Sequence, residues 1–157
     1  MTDKSLLLDE IRDALLDCDL FKNFPAHDIQ AAARYFGLTE LKEDESIFRE
    51  GDMGTFMCIV SEGDISVTKS NLEGKRVTLA KLRKGRTFGE MALLDGERRS
   101  ATCIAATDCV LLTLSQESLE KMLEESPRTA ANVIRAVAIA LSRRLRMADG
   151  KLVDMQV

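Results

Sequence analysis

The spacing of apolar residues divides the chain into a helical start, a middle of short strands and a helical end. Leucine and isoleucine recur at helical intervals over residues 5–20, which predicts a helix there, and a second short helix is predicted over Ala26–Tyr35. Between Leu38 and Leu114, short β-prone runs alternate with glycine, aspartate and asparagine, so this middle part predicts strands. The predicted strands are Ser46–Arg49, Phe56–Val60, Ile65–Lys69, Arg76–Leu82, Ala101–Ala106 and Cys109–Leu114, with a hairpin turn at residues 71–75.

Two more helices are predicted after the last strand. Ser115 is suited to cap the first of them, and Ser126-Pro127 supplies a capping serine and an N1 proline for the second. The second helix is expected to end at Asp149-Gly150, where a glycine C-cap follows a basic last turn that compensates the helix dipole. The basic turn contains Arg143, Arg144 and Arg146, and an apolar stripe along the same helix contains Val133, Ile134, Val137, Leu141 and Leu145.

The predicted fold class is mainly β with flanking helices, in the form of a β jelly-roll barrel with N-terminal helices and two C-terminal helices. At 157 residues, of which 45% are hydrophobic, one compact domain with one core is expected. Its predicted parts are an N-terminal helical segment at 1–37, the jelly roll at 38–114 and the C-terminal helices at 115–150.

Composition and charge exclude several classes of protein. A net charge of −4 argues against a broad nucleic-acid surface, so no direct DNA binding is expected. No apolar run is long enough to cross a bilayer, and the first residues lack the features of a secretory signal. The four cysteines have no metal-binding spacing, which favours a reducing compartment. A soluble cytoplasmic protein without a membrane span or a metal site is therefore expected.

The chemistry is concentrated in Phe88–Leu94 and in the residues that follow. Gly89 precedes a short helix-favouring run, and the N–H groups that begin such a turn suit an anion. Arg99 adds a planar, permanently charged group that can hold a phosphate at two points. Glu90 would repel a phosphate, but an ionised carboxylate is a natural acceptor for a sugar hydroxyl. Phosphate and sugar together indicate a nucleotide ligand.

Other interpretations of these residues are open at this stage. In one alternative, Glu90 and Arg99 form only an exposed salt bridge and Gly89 serves only a turn. The lone histidine, His27, is expected to be solvated, and no catalytic residue is identified. A metalloenzyme on a similar β-barrel would need two or three histidines, which this chain does not have.

These residues resemble the cyclic nucleotide-binding domain family, which includes the catabolite activator proteins and the regulatory subunits of cyclic-nucleotide-dependent kinases. The family's phosphate-binding cassette reads roughly Phe-Gly-Glu-x-Ala-Leu-Leu, then a loop, then Arg-(Ser/Ala/Thr)-Ala-Thr, and residues 88–102 follow this pattern. Residues 50–67 resemble its strand–turn–strand signature. The chain has Arg98 where the family often has proline, but the Ser-Ala-Thr that follows Arg99 favours Arg99 as the anchoring arginine.

The resemblance implies a regulatory sensor for a 3′,5′-cyclic nucleotide, with no bond made or broken. Arg99 would hold the exocyclic phosphate oxygens, Glu90 would accept from the ribose 2′-OH, and Met91 would pack beside the sugar and base. Cyclic AMP is expected over cyclic GMP, although the hydroxyl of Ser100 leaves cyclic GMP open. The implied ligand-binding residues are Gly89, Glu90, Met91, Ala92, Arg99, Ser100 and Ala101, with backbone N–H groups near Ala92, Ser100 and Ala101 completing the anion cradle.

The last helix, from Pro127 to about Ala148, is expected to be the output element and a homodimer surface. The alternative is that its apolar stripe packs on the protein's own barrel. Residues 151–157 are too few for a helix-turn-helix, so a stand-alone module acting through an unidentified effector protein is expected. A ligand-independent protein-interaction domain of the same fold is the alternative function. The sequence does not identify the lid residues over the base.

Overall fold

The computed structural model describes the backbone of residues 2–155 and the side chains of residues 6–150. The helices are α1 (Thr2–Leu16), a 3₁₀ turn (Asp19–Phe21), α2 (Ala26–Ala33), α3 (Glu90–Asp95), α4 (Gln116–Glu125) and α5 (Pro127–Met155). The strands are β1 (Gly37–Leu41), β2 (Ser46–Phe48), β3 (Phe56–Glu62), β4 (Ile65–Ser70), β5 (Arg76–Leu82), β6 (Thr87–Phe88), β7 (Thr102–Ala105) and β8 (Cys109–Ser115).

The strands form two antiparallel sheets of four strands each, in the orders β1-β8-β3-β6 and β2-β7-β4-β5. This confirms the mainly β architecture with flanking helices. The two sheets do not close into one continuous hydrogen-bonded barrel, so the predicted barrel is an open roll. The hairpin between β4 and β5 is formed by Asn71, whose side-chain oxygen accepts from the N–H groups of Glu73 at 3.0 Å and Lys75 at 2.9 Å.

The central strand β3 is buried on both faces, and its sequence is therefore a continuous run of apolar residues. Met57 and Ile59 belong to a core shared with the helices. Cys58 and Val60, which alternate with them, belong to a second core between the two sheets. One core was expected, but the helices cover the outer face of the first sheet and so create two.

The end of the first helix and two of the strands differ from the sequence prediction. The first helix ends at Leu16 rather than residue 20, since Cys18 has an extended backbone before the 3₁₀ turn. Strands β1 and β6 were not predicted, because β6 has two residues and β1 begins with glycine. The predicted start of α4 is confirmed, with Ser115 Oγ accepting from the N–H of Ser118 at 3.0 Å.

Helix α5 is longer than predicted. It continues through Gly150 to Met155, because Gly150 does not adopt the left-handed conformation that a C-cap requires. Glycine inside a helix costs only about 1 kcal/mol relative to alanine, which a long helix tolerates. No helix in the described range, 2–155, has both the length and the apolar content needed to cross a membrane.

The apolar stripe of α5 is split between two environments. Val133 and Val137 are fully buried in the protein's own helical core, whereas Leu145 is 64% exposed. Ala130, on the same helix, is also fully buried. The stripe therefore packs on its own domain over the first half of the helix, and only its second half is available to another molecule.

Candidate ligand-binding site

Gly89 begins the cassette helix α3 in a conformation that other residues rarely adopt. It is the N-cap of α3 with a φ of 76°. A Cβ on Gly89 would lie 2.6 Å from Nη1 of Arg99 and 3.4 Å from the carbonyl oxygen of Phe56. Glycine is therefore required both by the backbone conformation and by the close approach of the Arg99 side chain.

Arg99 is the inner arginine of the cassette, with 5% of its surface exposed. Its guanidinium carbon lies 3.8 Å from the ring centroid of Phe48 and 4.7 Å from that of Phe56. Nη1 donates to the carbonyl of Gly89 at 3.1 Å, and Nη2 donates to the carbonyl of Phe56. Two aromatic rings and two backbone carbonyls thus hold the cation in a fixed orientation.

Arg98 lies on the opposite side of the backbone and is exposed. Its Nη1 donates to the carbonyl of Gly51 at 2.9 Å, and its backbone forms an isolated β-bridge with Met53. Because successive side chains of an extended segment point to opposite faces, only one of the two adjacent arginines can enter the interior. In this structure that residue is Arg99.

The upstream motif and the cassette form one structural unit. The N–H of Gly51 donates to the carbonyl of Arg99 at 2.8 Å, and the N–H of Gly54 donates to the carbonyl of Glu97 at 3.0 Å. A Cβ on Gly54 would lie 2.0 Å from the Cβ of Ala92, so α3 can pack here only against glycine. The two motifs occur together in the sequence because their backbones are hydrogen-bonded to each other.

Glu90 is buried beneath α5, with 2% of its surface exposed. Nη1 of Arg144, on α5, forms an ion pair with Oε1 of Glu90, and the Arg144 side chain is 55% exposed. Glu90 is also close enough to Arg99 for its charge to favour the protonated guanidinium. The alternative interpretation, in which Glu90 and Arg99 form only an exposed salt bridge, does not fit the structure because both side chains are buried.

Three polar atoms at this site are buried without a hydrogen-bond partner in the part of the chain that the structure describes. They are Oε1 and Oε2 of Glu90 and Nε of Arg99. The contact between Glu90 and Arg144 is an ion pair that lacks hydrogen-bond geometry. Buried polar atoms are ordinarily paired, and leaving one unpaired costs about 1–3 kcal/mol. A hydroxyl donor beside Glu90 and an anion beside Arg99 would supply the missing partners.

The other sequence-predicted site residues surround this pair at different depths. Ala92 is nearly buried, Ala101 is half-buried, and Ser100 and Met91 are exposed, Met91 by 57%. The structure thus brings Gly89, Glu90 and Arg99 together in the interior, with Met91 and Ser100 at the surface.

Burial sets the ionisation of the groups around the site. It lowers the pKa of the Arg99 guanidinium below its ordinary value, although nearby groups, Glu90 among them, oppose this shift. Burial also raises the pKa of the Cys103 thiol to about 12, while the positive charge of Arg99 opposes that rise. The thiol therefore stays protonated and acts as apolar filling. Within the described residues, no group of three or more His, Cys, Asp or Glu side chains is placed to hold a metal ion.

Arg144 is the residue that the sequence interpretation missed. It was assigned with Arg143 and Arg146 to the compensation of the helix dipole. Its position seven residues after Val137 places it on the buried stripe of α5, and this spacing would have identified it. Phe48 and Phe56 were also missed, because residues far apart in sequence carry no local sign that they share one guanidinium.

A comparison with models of protein families shows to which family this chain belongs. The model described as "Cyclic nucleotide-binding domain" matches residues 38–126. The chain belongs to this family. The match covers the roll, the cassette and α4, and it ends just before α5 begins at Pro127.

Relatives with known names share the cyclic nucleotide-binding domain. The cyclic AMP receptor protein of Thermus thermophilus is 35% identical over 85% of this chain, which spans 60% of that protein. The cAMP-dependent protein kinase regulatory subunit of Mycosarcoma maydis is 33% identical over 69% of this chain, which spans 22% of it. A crystal structure of a cyclic nucleotide-binding domain from Methylobacillus flagellatus has a TM-score of 0.80 and 25% identity, and the match covers 96% of this chain and 84% of that one.

Proposed function

We propose that this protein is a sensor that binds a cyclic nucleotide, cyclic AMP in preference to cyclic GMP, and signals through movement of α5. In this proposal the roll at 38–114, with its cassette at 88–102, binds the ligand, and the C-terminal helices at 115–150 carry the signal. The observation that carries the proposal is the buried group formed by Glu90 and Arg99. Oε2 of Glu90 and Nε of Arg99, which have no partner among the described residues, match a ribose hydroxyl and a cyclic phosphate.

The proposed roles follow from the chemistry of each side chain. Arg99 presents a cation to the phosphate, with Gly89 leaving space beside its guanidinium. Glu90 accepts a hydrogen bond from the ribose 2′-OH, and the backbone N–H groups near Ala92 and Ser100 complete the anion cradle. The backbone N–H near Ala101 also belongs to the cradle, and Met91 packs beside the sugar and base. No group in this arrangement is assigned to bond cleavage, so the site binds and does not catalyse.

The choice of cyclic AMP rests on the relatives, two of which are named for cyclic AMP. Ser100 is an exposed hydroxyl at the edge of the site, so cyclic GMP is the competitor to compare. Isothermal titration with both nucleotides tests the proposal. Tighter binding of cyclic AMP is expected. Binding of neither nucleotide would favour a ligand-independent protein-interaction domain.

The coupling to α5 rests on Arg144. A ligand that contacts Glu90 changes the electrostatic partner of Arg144, and Arg144 is attached to α5. Since a ligand shifts a conformational equilibrium by its differential affinity for the two states, contacts at Glu90 can move the helix. Hydrogen exchange with and without cyclic AMP tests this. Exchange at residues 142–150 is expected to change, and unchanged exchange there at saturating ligand would refute the coupling.

The exposed face of α5 is the proposed homodimer surface. Ala131, Ala138 and Leu145 recur at seven-residue intervals, so they share one face, and all three are exposed. Val137→Glu is not a suitable test, because Val137 is fully buried and the change would disrupt the core. Leu145→Glu is expected to convert a dimer to a monomer in light scattering. Ile139→Glu, on a different face, is the control, and a monomeric parent protein would exclude the dimer.

A cytoplasmic location and an effector protein complete the proposal. The four cysteines are free thiols and all are buried, as expected in a reducing compartment. In this proposal, the signal carried by α5 is passed to an effector protein.

A further inference from the structure

A large groove lies between α5 and the segment that joins α1 to α2. Its volume is about 960 Å³, and it is lined by residues from Asp19 to Pro25, by Arg86 and Thr87, and by one side of α5. The α5 residues run from Asn132 to Ala148, which corresponds to about 24 Å of helix. Gly89, Glu90 and Arg99 do not line it, although Arg144, which pairs with Glu90, does, so the groove borders the cassette without including these three residues.

The charge of this groove is opposite to that of the whole chain. Lys22, Arg86, Arg135, Arg143 and Arg144 line it, with Asp19 as its acidic residue, although the chain has a net charge of −4. Lys22 pairs with Asp19 at 4.0 Å, and Arg144 pairs with Glu90. The other three cations have no side-chain hydrogen bond or ion pair to another described residue. Clustered, unpaired cations produce a positive potential that attracts acidic partners.

The groove also has an apolar component. Ile139 is 43% exposed and Met147 is 66% exposed, and both line it together with the half-buried Phe24. Exposed aliphatic and methionine side chains beside cations suit a partner that carries both apolar and acidic residues. A small inorganic anion would leave these side chains uncovered.

We propose that this groove binds an acidic, amphipathic helical segment of a partner protein, about four turns long. The length follows from the span of the α5 lining, which exceeds the size of a small ligand. Acidic side chains of the segment face Arg135, Arg143 and Arg86, and its apolar side chains pack on Ile139 and Met147. A flat membrane surface fits less well, because the cations line a recess between two elements rather than a convex face.

Selection of peptides from a random display library tests the proposal without assuming a partner sequence. Peptides of about 20 residues, which is long enough for four helical turns with short flanks, are selected for binding to the full chain without nucleotide. The enriched peptides are expected to be rich in Asp and Glu, with apolar residues at i, i+3 and i+4. Because the groove is outside the cassette, failure here and failure of nucleotide binding are separate results.

Two double variants with the same change in net charge distinguish the groove from charge in general. Arg135→Glu with Arg143→Glu alters the groove and is expected to weaken the best peptide at least about tenfold, because reversed charges repel an acidic partner. Arg128→Glu with Arg146→Glu alters exposed residues of the same helix that do not line the groove, and a loss of peptide affinity of less than about twofold is expected. Circular dichroism confirms that both variants are folded.

Three results would overturn the proposal. The first is a selection that enriches no peptide dependent on Arg135 and Arg143. The second is an equal loss in both double variants, which would indicate non-specific attraction. The third is binding of phosphatidylserine vesicles, dependent on the same arginines, in the absence of any selected peptide, which would assign the groove to a membrane surface.

Discussion

The C-terminal half of α5 contacts Glu90 of the cassette, but different contacts hold the cassette and this half of the helix in place. Around the cassette, backbone hydrogen bonds join Arg99 to Gly51 and to Asp52, at 2.8 and 2.7 Å. The Arg99 side chain adds two donated hydrogen bonds and two aromatic contacts. On α5, every residue from 142 to 150 is exposed, and the contact to Glu90 is one ion pair from Arg144.

In the proposed function, this difference separates the part that binds the ligand from the part that signals. Opening the cassette would break several buried hydrogen bonds, whereas releasing the end of α5 breaks one half-exposed ion pair. Regions with few buried contacts open at low free energy, and moving elements are drawn from them. The first half of α5 belongs with the stable region: Val133 and Val137 are in the core, and Asn132 donates to the buried Asp28 at 3.1 Å. The boundary between the stable region and the region that opens at low free energy therefore lies within α5.

The largest effect is expected from removing the cation of the cassette. Arg99→Ala deletes a buried, charge-assisted phosphate contact, and such losses cost about 2–5 kcal/mol, so cyclic AMP affinity should fall at least about 30-fold. Isothermal titration measures the change. An affinity within twofold of the parent protein would contradict the role of Arg99.

Two further variants keep this test interpretable. Arg98→Ala changes the adjacent, exposed arginine and should have little effect on affinity. Arg99→Lys retains the charge but loses the planar group between Phe48 and Phe56, so an intermediate affinity is expected. Thermal melts of all three variants separate loss of binding from loss of folding.

The next effect concerns stability rather than binding. Val137→Ala removes two methyl groups from a fully buried site and should lower the free energy of unfolding by about 1.5–3 kcal/mol. Leu145→Ala, eight residues later on the same helix, is expected to change it by less than about 0.5 kcal/mol because Leu145 is 64% exposed. Urea denaturation measures both. Similar losses would show that the second half of α5 is also anchored in a core.

The strand framework and the cassette were predictable because their signals are local. Alternation and turn residues place β3, β4 and β5 within a few residues of their observed bounds, and a glycine before a helix-favouring run identifies α3. The alternation of an extended segment predicts that Arg98 and Arg99 point to opposite faces, while the choice of Arg99 as the inner residue rests on the resemblance to the family's cassette. These features depend on neighbours in sequence, so one chain is enough to reveal them.

The contacts across the fold were not predictable in the same way. The pair between Glu90 and Arg144 joins residues from two elements whose distance depends on how α5 docks. The end of α5 was misplaced because Gly150 is a common C-cap, while its actual conformation is set by the helix around it. Helical spacing places Arg144 on the buried face, but spacing alone does not identify its partner.

A smaller effect is expected from removing the charge of Glu90 alone. Glu90→Gln keeps an acceptor for the 2′-OH but loses the charge assistance, so cyclic AMP affinity should fall roughly 5- to 30-fold. Glu97→Gln, an exposed glutamate of the same loop, is the matched control. A 2′-deoxy cyclic nucleotide should lose affinity for the parent protein and lose little more for Glu90→Gln. Simple additivity of the two losses would show that Glu90 does not contact the 2′-OH.

The smallest effect tests the contact that joins the two regions. Arg144→Ala removes an ion pair between a half-exposed cation and a buried carboxylate. Because the end of α5 is exposed, water can reach Glu90 once Arg144 is gone, so the expected loss is about 0.5–1 kcal/mol, as for an exposed pair, and amide exchange at residues 142–150 should accelerate roughly two- to fivefold. The amides of the cassette strands should keep their protection, because their backbone hydrogen bonds do not involve α5. Arg143→Ala, the neighbouring arginine without an ion pair among the described residues, should change neither region. Equal acceleration in the cassette and in α5 would show that the two regions open together, and the separation of binding from signalling would then be wrong.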